Sequence, residues 1–317
     1  APTSSRRRKT TPIAPFVNVV ATATADRGAP QARPDRRTRS WSWLGLAPFF
    51  LFGAMFLGVP LAFLAIGSVA DNETGALTLD NYGGLSTKLV ANAFRNSVEV
   101  SLVTAIIGGS FGFALAAAVI LGRLPRVLRD ALMTFSGVAS NFAGIPLALA
   151  FTYTLSTTGL LTVVLKNAGI DIYGGDFTIF SKFGLEIVYL YFQFPLMVLI
   201  IAPAIDGLKP EWREAAENMG ATGGQYWRRV ALPILMPTLL GSMILLFGNA
   251  FGAQATAYQL TAGQIPLVPL AIGNQISGDV LHNVGLGYAM AMGMVVIMAI
   301  SITAYTWLQR RSERWLR

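Results

Sequence analysis

Six long apolar runs constrain this chain more than any other feature, near Leu44–Val69, Ser97–Leu121, Ala131–Leu155, Phe183–Ile205, Ala231–Ala255 and Val284–Leu308. Each is long enough to cross a hydrocarbon core of about 30 Å, which takes roughly 20 helical residues. In lipid a backbone N–H or C=O finds no water, so a crossing segment must satisfy its own hydrogen bonds, as a helix does. Composition agrees: 53% of residues are apolar, 13% are charged and mean hydropathy is +0.54, which does not fit a soluble domain of 317 residues. The expected fold class is an all-α integral membrane protein with six transmembrane helices. Cysteine is absent, which excludes a disulfide framework and thiolate chemistry.

Charge orients the spans. With the amino terminus inside, six crossings return the carboxyl terminus inside as well, so both termini are expected to be cytoplasmic. The inner segments then hold 20 of the 24 basic residues, among them Arg123, Arg126 and Arg129, Lys209, Arg213, Arg228 and Arg229, and Arg310, Arg311, Arg314 and Arg317. Only Lys88, Arg95, Lys166 and Lys182 fall outside, the bias expected of a membrane protein. The net charge of +8 is therefore a topology signal, and no nucleic-acid motif accompanies it. Residues 1–40 are rich in Arg, Pro, Thr and Ala, and read as a disordered basic cytoplasmic arm with loose affinity for anionic membrane lipid. Residues 41–317 form the transmembrane domain. Trp41 and Trp43 at one end, and Tyr305 and Trp307 at the other, are expected at the inner membrane interface.

The loop at 207–230 is unlike the rest. Pro210 can open a helix at its first position, where a missing N–H costs nothing. Glu211, Glu214 and Glu217 put acidic charge in the first turns, which the helix dipole favours. Trp212, Ala215, Ala216 and Met219 recur at helical spacing as an apolar stripe. Gly220 then breaks or redirects the helix, and Gly223 and Gly224 loosen the next segment. An amphipathic helix lying in the headgroups is the plain alternative, but the inner leaflet is anionic and repels three glutamates. A basic protein groove suits them better, with small Ala residues allowing close approach.

Glu214-Ala215-Ala216, then three residues, then Gly220-Ala221, followed by Val230, Leu232-Pro233 and Pro237, resembles the signature loop of type I ABC importer permeases that work with a binding protein. Similarity to that family covers most of Leu44 to Leu308. Leu79-Asp80-Asn81-Tyr82, Asn96-Ser97 and the segment from Phe251-Gly252 to Ala262-Gly263 are similar to the subgroup serving polyamines, ferric iron, thiamine, phosphonates and oxyanions. Many members carry an acid just before that Phe-Gly; here it is Ala250. The resemblance implies a cytoplasmic coupling helix between the fourth and fifth spans, in a bacterial-type plasma (inner) membrane. It implies partners: two ATPase subunits, a second permease subunit (identical or related) and an extracytoplasmic substrate-binding protein. Glu211, Glu214, Ala215, Ala216, Glu217, Gly220, Ala221, Leu232 and Pro233 are then the ATPase-coupling residues. This chain would bind no cofactor and catalyse no reaction; ATP and Mg would belong to the ATPase. No GxxxxGK[ST] occurs, and none of the five lysines follows a glycine.

Within the spans, Asn141, Gln193, Asn249 and Gln254 are amides that either line a pathway or form interhelical hydrogen bonds. Glu99 and Glu186 come four residues after Arg95 and Lys182, the spacing of local helical ion pairs. Gly108 and Gly112, and Ser136, Ser140 and Gly144, recur at four-residue spacing, a signature of close helix packing. His282 is the sole histidine, so no metal site can be built around it. Two other functions compete with the importer. A self-contained gradient-driven secondary transporter would use Glu99 and Glu186 as relays, and a non-transporting membrane scaffold would use the acidic loop as its partner site.

Overall fold

The computed structural model describes residues 45–71, 74–122, 125–175, 177–278 and 282–313. The arm 1–40, Trp41, Trp43 and Leu44 at the start of the expected first span, and Arg123, Arg314 and Arg317 lie outside the described residues. The chain divides into two compact units, Ala1–Phe56 and Leu57–Arg317. In the first, α1 (Ala47–Gly53) carries Pro48 in its opening turn and buries none of its residues. Phe49, Phe50 and Phe52 stand out from it, and Phe52 stacks on Phe56 with ring centroids 4.6 Å apart. An apolar helix with no buried residue is built to face lipid or another apolar surface.

The second unit contains α2 (Val59–Ser68), α3 (Asp80–Gly83), α4 (Lys88–Leu121), α5 (Arg126–Asn141), α6 (Ile145–Leu155), α7 (Leu160–Asn167) and α8 (Lys182–Asp206). It continues with α9 (Pro210–Asn218), α10 (Gly223–Tyr226), α11 (Leu232–Phe251), α12 (Gln254–Thr261), α13 (Val268–Ser277) and α14 (Val284–Glu313). Apart from a single antiparallel bridge between Ala70 and Leu77, the regular structure of the described residues is helical. Six stretches are long and apolar enough to cross a membrane: Ala47–Ser68, Lys88–Leu121, Ile145–Asn167, Lys182–Asp206, Gly223–Phe251 and Val284–Arg310.

The core lies where α4 runs along α8 and α11 packs against both, with α5 on the other side of α8. Glycine permits the closest approach. A Cβ at Gly112 would lie 2.6 Å from both the Phe194 carbonyl oxygen and Met197 Cβ on α8, and one at Gly108 would lie 2.9 Å from Gln193 Cβ. Gly109, turned the other way, admits Met243 of α11. The expected packing role of Gly108 and Gly112 is what the structure has. In a bilayer, dispersion at such close contacts replaces the hydrophobic drive between helices.

Three expectations change. The second membrane helix starts at Lys88 rather than Ser97, and the fifth is helical from Gly223 rather than Ala231. The expected third span, Ala131–Leu155, is two helices: α5 ends at Asn141 and α6 starts at Ile145. Gly144 between them has φ +73°, ψ −148°, so it cannot continue a helical Ser136-Ser140-Gly144 stripe. Pro146, in the first turn of α6, is the readable signal for this restart.

Candidate functional site

The 207–230 loop is built from both ends. α9 opens at Lys209 with Pro210 in its first turn and Glu211 beside the positive end of its dipole. Lys209 Nζ lies 5.8 Å from the centroid of the Trp212 ring. Arg213 Nε donates to Glu217 Oε1 at 2.8 Å, and that carboxylate raises the guanidinium's already high pKa, so Arg213 stays charged. The helix ends in a Schellman motif. The Ala221 N–H donates to the Ala216 carbonyl at 3.0 Å and the Gly220 N–H to the Glu217 carbonyl at 2.9 Å, with Gly220 at φ +79°. Two carbonyls that the helix end would leave orphaned are thereby satisfied.

The apolar stripe read from the sequence is divided. Ala216 is buried in a small cluster with Tyr226 and Ala231, against which Ala221 packs. Trp212, Ala215 and Met219 are exposed, Met219 by 82%, together with Glu211, Glu214 and Glu217. Among the described residues Ala216 is the one buried position of α9; Met219 faces outward, and Trp212 is 37% exposed. Leu232 and Pro233 are half-buried in the first turn of α11, not in the loop. Gly223 and Gly224, expected to loosen the chain, open α10 instead. Thr222 Oγ1 accepts from the Gln225 N–H, and Gln225 Oε1 accepts from the Thr222 N–H. This capping box outweighs the glycines' poor helix propensity. From α10 a π turn, Trp227–Ala231, leads into α11. Pro233 just beyond it cannot donate to the carbonyl one turn back, which favours such an interruption. A cavity of about 470 Å³ opens beside α9, bounded by Lys209, Arg213, Glu214 and Glu217 on one side and by Leu121, Tyr226 and Trp227 on the other.

At the far end of α11 a second break meets the first. α11 stops at Phe251 and α12 starts at Gln254. The Gly144 N–H donates to Thr256 Oγ1 at 2.8 Å, and that hydroxyl lies 3.4 Å from the Gly144 carbonyl, so the two breaks hold each other. Tyr189 on α8 donates its hydroxyl proton to the Ala253 carbonyl at 2.6 Å. Three of the four amides sit on exposed surface around this junction: Asn141 ends α5, Asn249 is two residues before the end of α11, and Gln254 opens α12. Asn249 also borders an apolar cavity of about 650 Å³ lined by Thr238, Leu245, Met298, Ile302 and Tyr305. Gln193 is different. It is fully buried, its Nε2 donates to Thr104 Oγ1 on α4 at 3.1 Å, and its Oε1 has no partner among the described residues.

The acids also pair otherwise than their spacing suggested. Lys182 Nζ on α8 reaches Glu99 Oε2 on α4 at 2.5 Å, so neither Arg95–Glu99 nor Lys182–Glu186 is the local pair expected. Packing of α4 along α8 brings the start of α8 beside the interior of α4, a proximity that no spacing within one helix encodes. Local sequence does not encode the Gly144–Thr256 junction either; Gly144-Ile145-Pro146 marks only where the helix breaks.

Residues 114–317 match the family described as binding-protein-dependent transport system inner membrane component. The probable sulfate transport system permease protein cysT of Nephroselmis olivacea is 26% identical over 286 residues, which cover 88% of this chain and 93% of that protein. The spermidine/putrescine transport system permease protein PotB of Haemophilus influenzae is 26% identical over 231 residues, covering 72% and 78%. Among solved structures, a bacterial ABC transporter involved in the import of the acidic polysaccharide alginate superposes with a TM-score of 0.67 at 18% identity, over 86% of this chain and 96% of that one. At that identity the likeness is one of fold.

Proposed function

The chain belongs to the binding-protein-dependent transport system inner membrane components, the permease subunits of ABC importers, and on that basis we propose that α9 is the helix through which a separate ATPase drives it. The observation that carries this is the exposed face of α9. Glu211, Trp212, Glu214, Ala215, Glu217 and Met219 stand outward while Ala216 alone is buried. A basic groove on a partner would neutralise the glutamates and cover the apolar groups in one step.

Force on α9 has a short path into the membrane. Ala216 packs with Tyr226 and Ala231, so a displacement of α9 carries the start of α11 with it. α11 then runs to the Gly252–Ala253 break, which the Thr256 hydroxyl ties to Gly144. Helices packed this closely move as bodies, so the motion would appear where they are interrupted. We assign Asn141, Asn249 and Gln254 to the pathway surface, to be completed by a second permease subunit, and Gln193 to α4–α8 packing. ATP and Mg belong to the ATPase, and a binding protein on the opposite side delivers a small solute. The basic segments and both termini lie on the cytoplasmic side with α9.

Mild detergent extraction followed by mass spectrometry tests the assembly. Co-purification of a P-loop ATPase supports it, and a chain that emerges alone and still drives uptake without ATP overturns it. Glu214→Lys places a cation against a basic groove, and is expected to abolish uptake while leaving the chain inserted. Unchanged uptake would remove α9 from the coupling path.

A further inference from the structure

A cavity of about 10 Å³ lies inside the second unit, lined by Ser97, Val100, Ser101, Tyr189, Ala253 and Leu267 among others. It is bounded by α4, α8, the break after α11 and the segment entering α13. Its three hydroxyl-bearing residues are all at least 97% buried: Ser97 is 3% exposed, Ser101 1% and Tyr189 1%. What each hydroxyl has left to offer defines the occupant. Ser97 Oγ accepts the Val268 N–H at 2.9 Å and makes no other hydrogen bond among the described residues, so its own proton remains to be donated. Ser101 gives its proton to the Ser97 carbonyl at 2.6 Å, which leaves lone pairs on Oγ. Tyr189 gives its proton to the Ala253 carbonyl at 2.6 Å, which leaves its oxygen as an acceptor.

The residues lining the cavity thus hold one unused donor and two unused acceptors around a space the size of a single solvent molecule. An anion would meet only one donor, and a cation would find no formal negative charge. We infer that this cavity binds one structural water, which accepts from Ser97 and donates to Ser101 and Tyr189. A water needs about 10–15 Å³ and two to four polar partners, and this cavity supplies both. The water links α4 to α8 beside the carbonyl of Ala253, and so sits at the joint from which α12 departs. It forms no part of the proposed α9 interface or of the pathway surface, so it stands whether or not the coupling proposal does.

The test is a map at about 2 Å of the intact chain in lipid nanodiscs with whatever subunits co-purify. A peak within about 2.6–3.2 Å of all three hydroxyl oxygens is expected. Ser101→Ala removes one acceptor and little else, because the donor it loses pairs within its own helix. It should lower the melting midpoint by about 1–2 °C, the shift that accompanies loss of one hydrogen bond in a protein of this size. A featureless cavity in the wild-type map overturns the inference. So does a peak that contacts none of the hydroxyls, or a Ser101→Ala midpoint equal to or above that of the wild type.

Discussion

Replacement of Gly220 separates two explanations of how the α9 loop ends. Gly220 occupies φ +79°, and a Cβ built there meets no atom within 4 Å. Bulk alone therefore costs nothing inside this chain; the penalty comes from the left-handed backbone. For an L-residue that conformation costs about 1–2 kcal/mol, less for Asn, whose side chain tolerates it, and more for β-branched residues. Relief of the strain would break the two Schellman bonds from Gly220 and Ala221, and so release the segment after α9 from the helix's C-terminal turn. A change of 1–2 kcal/mol shifts that local equilibrium by a factor of roughly 5–30. Uptake should therefore fall in the order Gly220→Asn, Gly220→Ala, Gly220→Val, although Asn is larger than Ala. The assay is ATP-driven uptake in proteoliposomes with hydrolysis measured in parallel, normalised to the amount of inserted chain. Hydrolysis should outlast uptake. An order that tracks side-chain volume, with Ala milder than Asn, would refute the backbone argument.

Thr256→Val leaves the Gly144 N–H without its acceptor inside the protein, at a cost of about 1–3 kcal/mol, whereas Thr256→Ser keeps it; equal melting midpoints for the two variants would show that the junction is not held this way. Glu99 and Lys182 are 48% and 29% exposed, so a double-mutant cycle should give a coupling of no more than about 1 kcal/mol. The Glu186–Lys182 cycle should give less, and the reverse ranking would restore the local pairing. Gly112→Val drives a methyl-bearing carbon into Phe194 and Met197 of α8 and should destabilise by about 1–3 kcal/mol or more. Gly137→Ala in α5 meets nothing within 4 Å and should be neutral or stabilising by up to about 1 kcal/mol, as thermal unfolding in detergent would read for both.

Much of the 207–230 loop could be read locally because its determinants are local. Pro210, the early glutamates and Gly220 act through the geometry of one helix, and the structure has a helix between them with the left-handed residue just past its end. Gly223 and Gly224 mislead when weighed alone: Thr222 and Gln225 carry the capping-box spacing, and two reciprocal hydrogen bonds prevail over glycine's entropy. The division of the stripe was not local. Helical spacing puts Trp212, Ala215, Ala216 and Met219 near one another, but only the positions of Tyr226 and Ala231 decide that Ala216 alone is covered.

From sequence alone came the number of apolar runs, the charge bias and the family likeness, because run length against bilayer thickness and lysine or arginine placement are properties of a chain read in order. Only the tertiary structure decided that the third expected span is interrupted at Gly144, that Lys182 chooses Glu99 over Glu186, and that Gln193 is sealed between α4 and α8. Each of those choices is made by a partner on another helix: Thr256, 112 positions on from Gly144; Glu99, reached from Lys182; and Thr104, reached from Gln193. A hydrogen bond or ion pair acts over about 3–4 Å of space whatever the separation along the chain, so these contacts exist only once the helices have packed.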